Sequence, residues 1–257
     1  MIKNTLAAND VVPVDNSIYD RLGDRWYEAY DDPVALLRAE SKVKEAWIEK
    51  RLPVKSDLKI LDQGCGAGFV SNSLARKGHD LTGVDLSQES LVVARKHAPN
   101  SKVKYIEADA LATGLPDNYF DVVVSLDFLE HVEDPAASIM EAARVLKPGG
   151  LYFFHTFNRN LLSWLTVIKL VEWFVPNTPK HMHVLRLFIK PSELASYCHN
   201  CGLEPTEWTG IRPELFTFSN LTGIFKRRVP EDFSFKLTES KLMSYMGMAR
   251  KPTGRIH

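Results

Sequence analysis

The stretch LKILDQGCGAG, residues 58–68, decides the fold. An apolar run (Leu58, Ile60, Leu61) ends at an acid, Asp62, and three glycines follow at alternating positions, Gly64, Gly66 and Gly68. Glycine adopts backbone angles that other residues avoid, and its missing side chain lets a ligand lie against the main chain. A strand, a glycine turn and a helix over Phe69–Lys77 are the opening of a doubly wound α/β sheet. A second apolar run, Asp80–Val84, ends in Asp85, where an acid can hold ribose hydroxyls.

The acid before the glycines selects the cofactor. Dinucleotide sites aim a helix N-terminus at pyrophosphate, and Asp62 would repel that group. It suits a cofactor with a positive sulfonium and an ammonium, as S-adenosylmethionine has. DxGxGxG with Asp62, Gly64, Gly66 and Gly68 resembles the first motif of the class I methyltransferases.

Later segments extend the pattern. Lys102–Ile106 reads as a third strand leading into Glu107-Ala108-Asp109-Ala110, and Phe120–Ser125 as a fourth. The β-branched run of the fourth suits a strand buried on both faces. Leu146-Lys147-Pro148-Gly149-Gly150 is expected to close a helix and turn into a fifth strand, Leu151–Phe154. Leu203–Ile211 and Leu242–Ala249 complete seven strands, with Asn220–Glu239 read as a loop. The expected fold is therefore Rossmann-like α/β, a mostly parallel seven-stranded sheet with helices on both faces.

The 257 residues, 45% hydrophobic and 25% charged, suffice for one large domain with appendages. Lys plus Arg equals Asp plus Glu at 32 each, so no basic field argues for nucleic acid. The first residues, MIKNTLAAND, show no apolar signal core. Three cysteines, one of them in the glycine turn, suit a reducing compartment, and a cytoplasmic location is expected. Residues 1–16 read as poorly ordered; Ser17–Tyr30 and Pro33–Arg51 read as two helices, making residues 1–52 a helical lid on a catalytic domain at 53–257. Asn158–Lys190 is an insert after the fifth strand, and a helix opening at Pro191-Ser192, with Ser192 as cap, follows it.

With these residues in view, the chain resembles the ubiquinone-biosynthesis O-methyltransferases, which methylate catechol-type hydroxyls on polyprenylated rings. The resemblance rests on Arg25-Trp26, Leu61-Asp62 with Gly64-Cys65-Gly66, Val84-Asp85, Leu129-Glu130-His131-Val132, the Leu146–Gly150 stretch, Asn158-Arg159-Asn160, Ser163-Trp164-Leu165, His183 and Phe188-Ile189-Lys190-Pro191. The segment from Asn158 to Pro191 is its specific part. The chain departs from the family pattern in having Asp127 for the usual Glu, Lys44 for a frequent Arg and His155 for Ser. The resemblance implies a cofactor site of Lys44, Asp62, Gly64, Cys65, Gly66, Gly68, Asp85, Leu86, Asp109, Ala110 and Leu126, with Asp109 at the adenine.

A phenol has a pKa of about 10 and needs a base or a metal to react near neutral pH. If Asp127–His131 is helical, Asp127, Glu130 and His131 share a face. Two carboxylates and an imidazole could then hold Mg²⁺; Leu-Glu-His equally shapes the pocket in methyltransferases that use no metal. Glu130, His131 and His183 are the candidate catalytic residues, His183 through the insert acting as a lid. Leu161–Val175 is almost wholly apolar, too short and too charged to span a bilayer. It reads either as an interfacial helix with Lys169, Lys180, Arg186 and Lys190 nearby, or as a buried lid or homodimer contact. The alternatives are a methyltransferase for another lipid or small phenol, and a non-catalytic cofactor-binding subunit of a biosynthetic complex.

Overall fold

A computed structural model describes residues 14–99, 103–215 and 227–254. The glycine stretch forms the expected strand, β1 (Lys59–Gln63), and helix, α3 (Phe69–Arg76). The remaining strands are β2 (Asp80–Asp85), β3 (Val103–Glu107), β4 (Phe120–Leu126), β5 (Leu146–Phe157), β6 (Glu204–Pro213), β7 (Phe235–Thr238) and β8 (Ser244–Arg250). They make one sheet in the order β3-β2-β1-β4-β5-β8-β6-β7. Strands β1 to β5 pair parallel, and β8, β6 and β7 continue the sheet antiparallel.

The order reverses between β1 and β4, so the carboxyl ends of these strands, at Asp62-Gln63 and Leu126, flank the switch point where such sheets bind ligands. Gln63 and Ser125 lock the two ends together: Ser125 Oγ donates to Gln63 Oε1 at 2.7 Å, and Gln63 Nε2 donates to the Ala110 carbonyl at 2.9 Å. Val122, Val123 and Val124 are wholly buried because the sheet is covered on both faces. On one face, Val123, Phe154 and Tyr152 pack with α5 (Pro135–Val145) and α8 (Pro191–Asn200). On the other, Ile60, Val124 and Phe153 pack with α3 and α2 (Val34–Glu49).

Several boundaries differ from the sequence reading. The helix expected over 17–30 is a 3-10 turn, Asn16–Arg21, and a short α1, Arg25–Glu28, parted at Gly23 with φ +50°. Strand β5 begins at Leu146, which already pairs with Phe120; Lys147–Gly150 is a bulge, with Gly149 at φ +81°. Helix α8 is capped at Lys190, whose N–H donates to Glu193, and Pro191 takes the first helical position, so Ser192 is not the cap. The sheet has eight strands rather than seven, because β7 lies inside the segment read as a loop. Of that segment, residues 220–226 lie outside the described residues, as do residues 1–13 of the stretch read as poorly ordered.

The insert is helical from Leu161 to Phe174, in the order α6 (Leu161–Ser163), a π-helical stretch (Trp164–Lys169) and α7 (Leu170–Phe174). Asn160 caps it by accepting from Ser163 N at 3.0 Å. No helix among the described residues is long and apolar enough to cross a membrane.

Candidate active site

A cavity of about 820 Å³ opens over the switch point and collects the ends of β1, β2 and β4, helix α2, and the insert. At one end lie the residues expected around the cofactor: Asp62, Gly64, Cys65, Gly66, Asp85, Leu86, Asp109, Ala110 and Leu126 all line it. Asp85 organises this end. Its Oδ2 accepts from Gly66 N at 2.8 Å and its Oδ1 from Ser87 N at 2.9 Å. Burial raises the Asp85 pKa against these two hydrogen bonds. Asp62 accepts from Ser71 Oγ at 2.6 Å; burial pushes its pKa up to about 7, with nearby Asp85 adding to the rise. A positive group beside Asp62 would reverse that rise, which is the electrostatic complement a sulfonium and an ammonium supply.

The three glycines divide their work. A Cβ at Gly64 would collide with the Phe128 ring, so this glycine lets the β4 turn close over the β1 turn. A Cβ at Gly66 would lie 3.2 Å from Trp26 of α1. Gly68 does not line the cavity: it starts α3 at φ +76°, and a Cβ there would strike the Tyr105 hydroxyl. The part it shows is packing, away from the cavity that Gly64 and Gly66 line.

Lys44 is likewise displaced from its expected place. It is wholly buried, with Nζ 2.5 and 2.6 Å from the two Asp127 oxygens and 3.0 Å from Glu40 Oε2, and it does not line the cavity. Asp127 and Glu40 stand between it and the opening.

At the opposite end, the structure rearranges the expected metal set. Asp127–His131 is not a continuous helix: Asp127 follows β4 at φ +54°, and only Leu129–His131 makes a 3-10 turn. The helical spacing that would have put Asp127 beside Glu130 and His131 therefore does not apply. The Asp127 carboxylate turns instead to Lys44 and to His155, whose Nδ1 is 2.6 Å away. His183 takes the vacated position: one ligand atom from each of Glu130, His131 and His183 lies within 4.8 Å of the others. The rings of His131 and His183 are 5.2 Å apart and both line the cavity. Glu130 sits just behind it, Oε2 accepting from Thr156 Oγ1 at 2.8 Å and Oε1 buried without a partner.

Burial, with Asp127 nearby, raises the Glu130 pKa to about 7. Burial lowers His131 to about 3, with His183 adding to the fall, and lowers His183 to about 4. Both imidazoles are therefore neutral near pH 7. The His131 ring nitrogens face Tyr19 Oη at 3.4 Å and Asn16 Oδ1 at 3.2 Å, whereas His183 makes no hydrogen bond among the described residues.

Sequence reasoning missed Glu40, Tyr19 and the part played by His155. The i,i+4 spacing of Glu40 and Lys44 on one predicted helix was the available signal for the first.

The Rossmann-like sheet, the glycine turn and the acid at the end of β2 define a class I S-adenosylmethionine-dependent methyltransferase. Residues 61–154 match the family model described as a methyltransferase domain. A solved S-adenosylmethionine-dependent methyltransferase from Thermotoga maritima superposes with a TM-score of 0.62 over 91% of this chain and 98% of that one, at 18% identity. Magnesium protoporphyrin IX methyltransferase from Synechocystis, solved with bound S-adenosylhomocysteine, gives 0.56 over 86% and 85% at 20% identity. Two ubiquinone biosynthesis O-methyltransferases are much nearer in sequence. That of Bordetella bronchiseptica is 39% identical over 75% of this chain and 81% of its own length. That of Thiobacillus denitrificans is 34% identical over 84% and 92%. The chain belongs to the ubiquinone biosynthesis O-methyltransferase family, and its cofactor is S-adenosylmethionine.

Proposed function

We propose that the chain transfers a methyl group from S-adenosylmethionine to a catechol-type hydroxyl of a polyprenylated ubiquinone precursor. The observation that carries this reading is the pairing of two chemistries in one cavity: a donor end at Asp62 and Asp85, and an acceptor end at His131 and His183. The wall between that acceptor end and the exterior is apolar, with Phe157, Val167, Leu170, Phe174 and Met243 on it. This wall suits a prenyl tail, while the histidines suit the hydroxyls of the ring.

Methyl transfer from a sulfonium is an in-line displacement, so the protein's work is to align an oxygen behind the methyl carbon and exclude water. The phenolic proton has to leave as the oxygen attacks. His183, neutral and facing the cavity, accepts it, and Asp127 and Glu40 nearby favour the resulting imidazolium.

The same three groups fit a divalent cation. Glu130 Oε1 is an orphaned buried oxygen and the two imidazoles are neutral. With His183 in place of Asp127, one carboxylate and two imidazoles suit Mn²⁺ or Zn²⁺ better than Mg²⁺. A bound ion would act as a Lewis acid on the hydroxyl oxygen.

We further propose that residues 161–174 rest in a membrane interface. Their inner face, at Val167 and Leu170, borders the cavity, while Leu161 is 80% and Trp173 61% exposed, with Leu162, Trp164 and Leu165 beside them. Such an apolar face is unusual on a surface, and it would place the mouth of the cavity against the lipid that holds a prenylated ring. Of the basic residues nearby, Lys169 pairs with Glu172 and Arg186 with Glu133, which leaves Lys180 and Lys190 as the better candidates for anionic headgroups.

The reading is tested by turnover of a short-tailed catechol with S-adenosylmethionine, with and without excess chelator. We expect turnover in the wild type and at least about a hundredfold loss in His183→Ala, the lower end of what a positioned general base contributes. Loss in chelator with recovery on adding Mn²⁺ would establish the metal. Full turnover in chelator would assign His183 to the base alone, and no turnover of any catechol by the wild type would contradict the reading.

A further inference from the structure

Four ionisable side chains meet at the cavity floor, Glu40 and Asp127 lining it and Lys44 and His155 behind them. Glu40 and Lys44 come from α2, Asp127 from just after β4 and His155 from β5. Lys44 contacts both Asp127 oxygens and Glu40; His155 Nδ1 is 2.6 Å from Asp127 Oδ1, and its Nε2 is 3.4 Å from Glu40 Oε1. The two histidine contacts are at ion-pair distance but lack the alignment of hydrogen bonds. Lys44 and His155 are both wholly buried. The cluster has the make-up of a cation site, three ligating groups within 4.8 Å, and the Lys44 ammonium sits among them as a tethered cation.

What these contacts hold is a backbone turn. Asp127 is in the left-handed region, φ +54°, where a residue with a side chain is uncommon and persists only if its surroundings over-determine it. The chain leaving Asp127 reaches both halves of the cavity. Phe128 packs on Gly64 at the donor end, and His131 N closes the next turn by donating to the Phe128 carbonyl at 2.9 Å. Strand β5 grips this segment twice, with adjacent residues that point to opposite faces of the sheet. His155 meets Asp127 where the segment begins, and Thr156 donates to Glu130 at 2.8 Å three residues on. Helix α2 anchors the same point from the lid side through Lys44.

We propose that Lys44 and His155 are positioning residues for methyl transfer. By anchoring Asp127 in its left-handed conformation they fix the Phe128–His131 turn, so that Phe128 closes on the cofactor turn while Glu130 and His131 face the acceptor. This rests on the acceptor end being the one assigned above.

The test is a substitution series with two readouts, amide exchange over residues 126–133 and kcat against KM on a short-tailed catechol. In Asp127→Ala we expect exchange of that segment at least about tenfold faster and kcat at least about tenfold lower. Asp127→Asn keeps an acceptor for Lys44 and tolerates the left-handed region, so it should recover most of the protection and of kcat. Lys44→Arg should stay near wild type, and Lys44→Met should follow Asp127→Ala. If Lys44→Met does not fold, the Asp127 pair decides. A folded Asp127→Ala with wild-type exchange and kcat, or equal losses in Ala and Asn, would overturn the proposal. The exchange readout needs no acceptor. A wild type that methylates no catechol, while exchange still follows this order, would remove the acceptor assignment alone.

Discussion

Asp85 makes two backbone hydrogen bonds, to Gly66 N and Ser87 N, and still has lone pairs to offer. One carboxylate thus shapes the glycine turn and, in the cofactor site proposed for it, would accept from the ribose hydroxyls of the methyl donor. Asp85→Ala removes both functions. We expect cofactor affinity by calorimetry to fall at least about tenfold, roughly the 1.4 kcal/mol of one charge-assisted hydrogen bond; unchanged affinity would sink the assignment. The position of Asp85 could be read from sequence because it is set locally, at the end of a strand beside a glycine turn. Asp127 could not be read so. Its partners, Lys44 and His155, are brought to it by α2 and β5, and its backbone leaves the helical region that a spacing argument assumes.

At the scale of elements, the helical insert shows how composition can leave two readings open. An almost wholly apolar stretch fits a buried lid and an interfacial helix equally. The structure uses both faces, with Val167 and Ile168 packed against Phe188 and Leu161, Trp164 and Trp173 turned outward. If the outward face meets lipid, the protein should float with liposomes, more strongly when these contain anionic lipid. Trp164→Glu with Trp173→Glu should abolish flotation without changing cofactor affinity, because neither side chain borders the donor end. A wild-type protein that never floats would assign that face to a protein contact. Strand β7 was illegible for a different reason: Phe235–Thr238 is a four-residue edge strand with two exposed positions, too short to show a period.

Across the whole molecule, the residues expected around the cofactor, Lys44 and Gly68 apart, come from contiguous motifs at the ends of successive parallel strands, and for that reason their gathering at one cavity was legible in the sequence. The proposed acceptor half joins Glu130 and His131 to His183 across more than fifty positions of chain. Sequence supplied the histidine as a candidate, but only the packing of the insert shows that it replaces Asp127 beside Glu130. The same packing brings the apolar residues Phe157, Val167, Leu170, Phe174 and Met243 into the cavity that the donor-end and histidine residues line. The most direct measurement of this account is the NMR spectrum of the product formed from ¹³C-methyl-labelled S-adenosylmethionine and a short-tailed catechol. The account predicts a single labelled methyl correlated to a ring carbon through oxygen, with its carbon shift in the aryl methyl ether range. A labelled methyl on a ring carbon, or no transfer of label while the protein binds the donor, would contradict it.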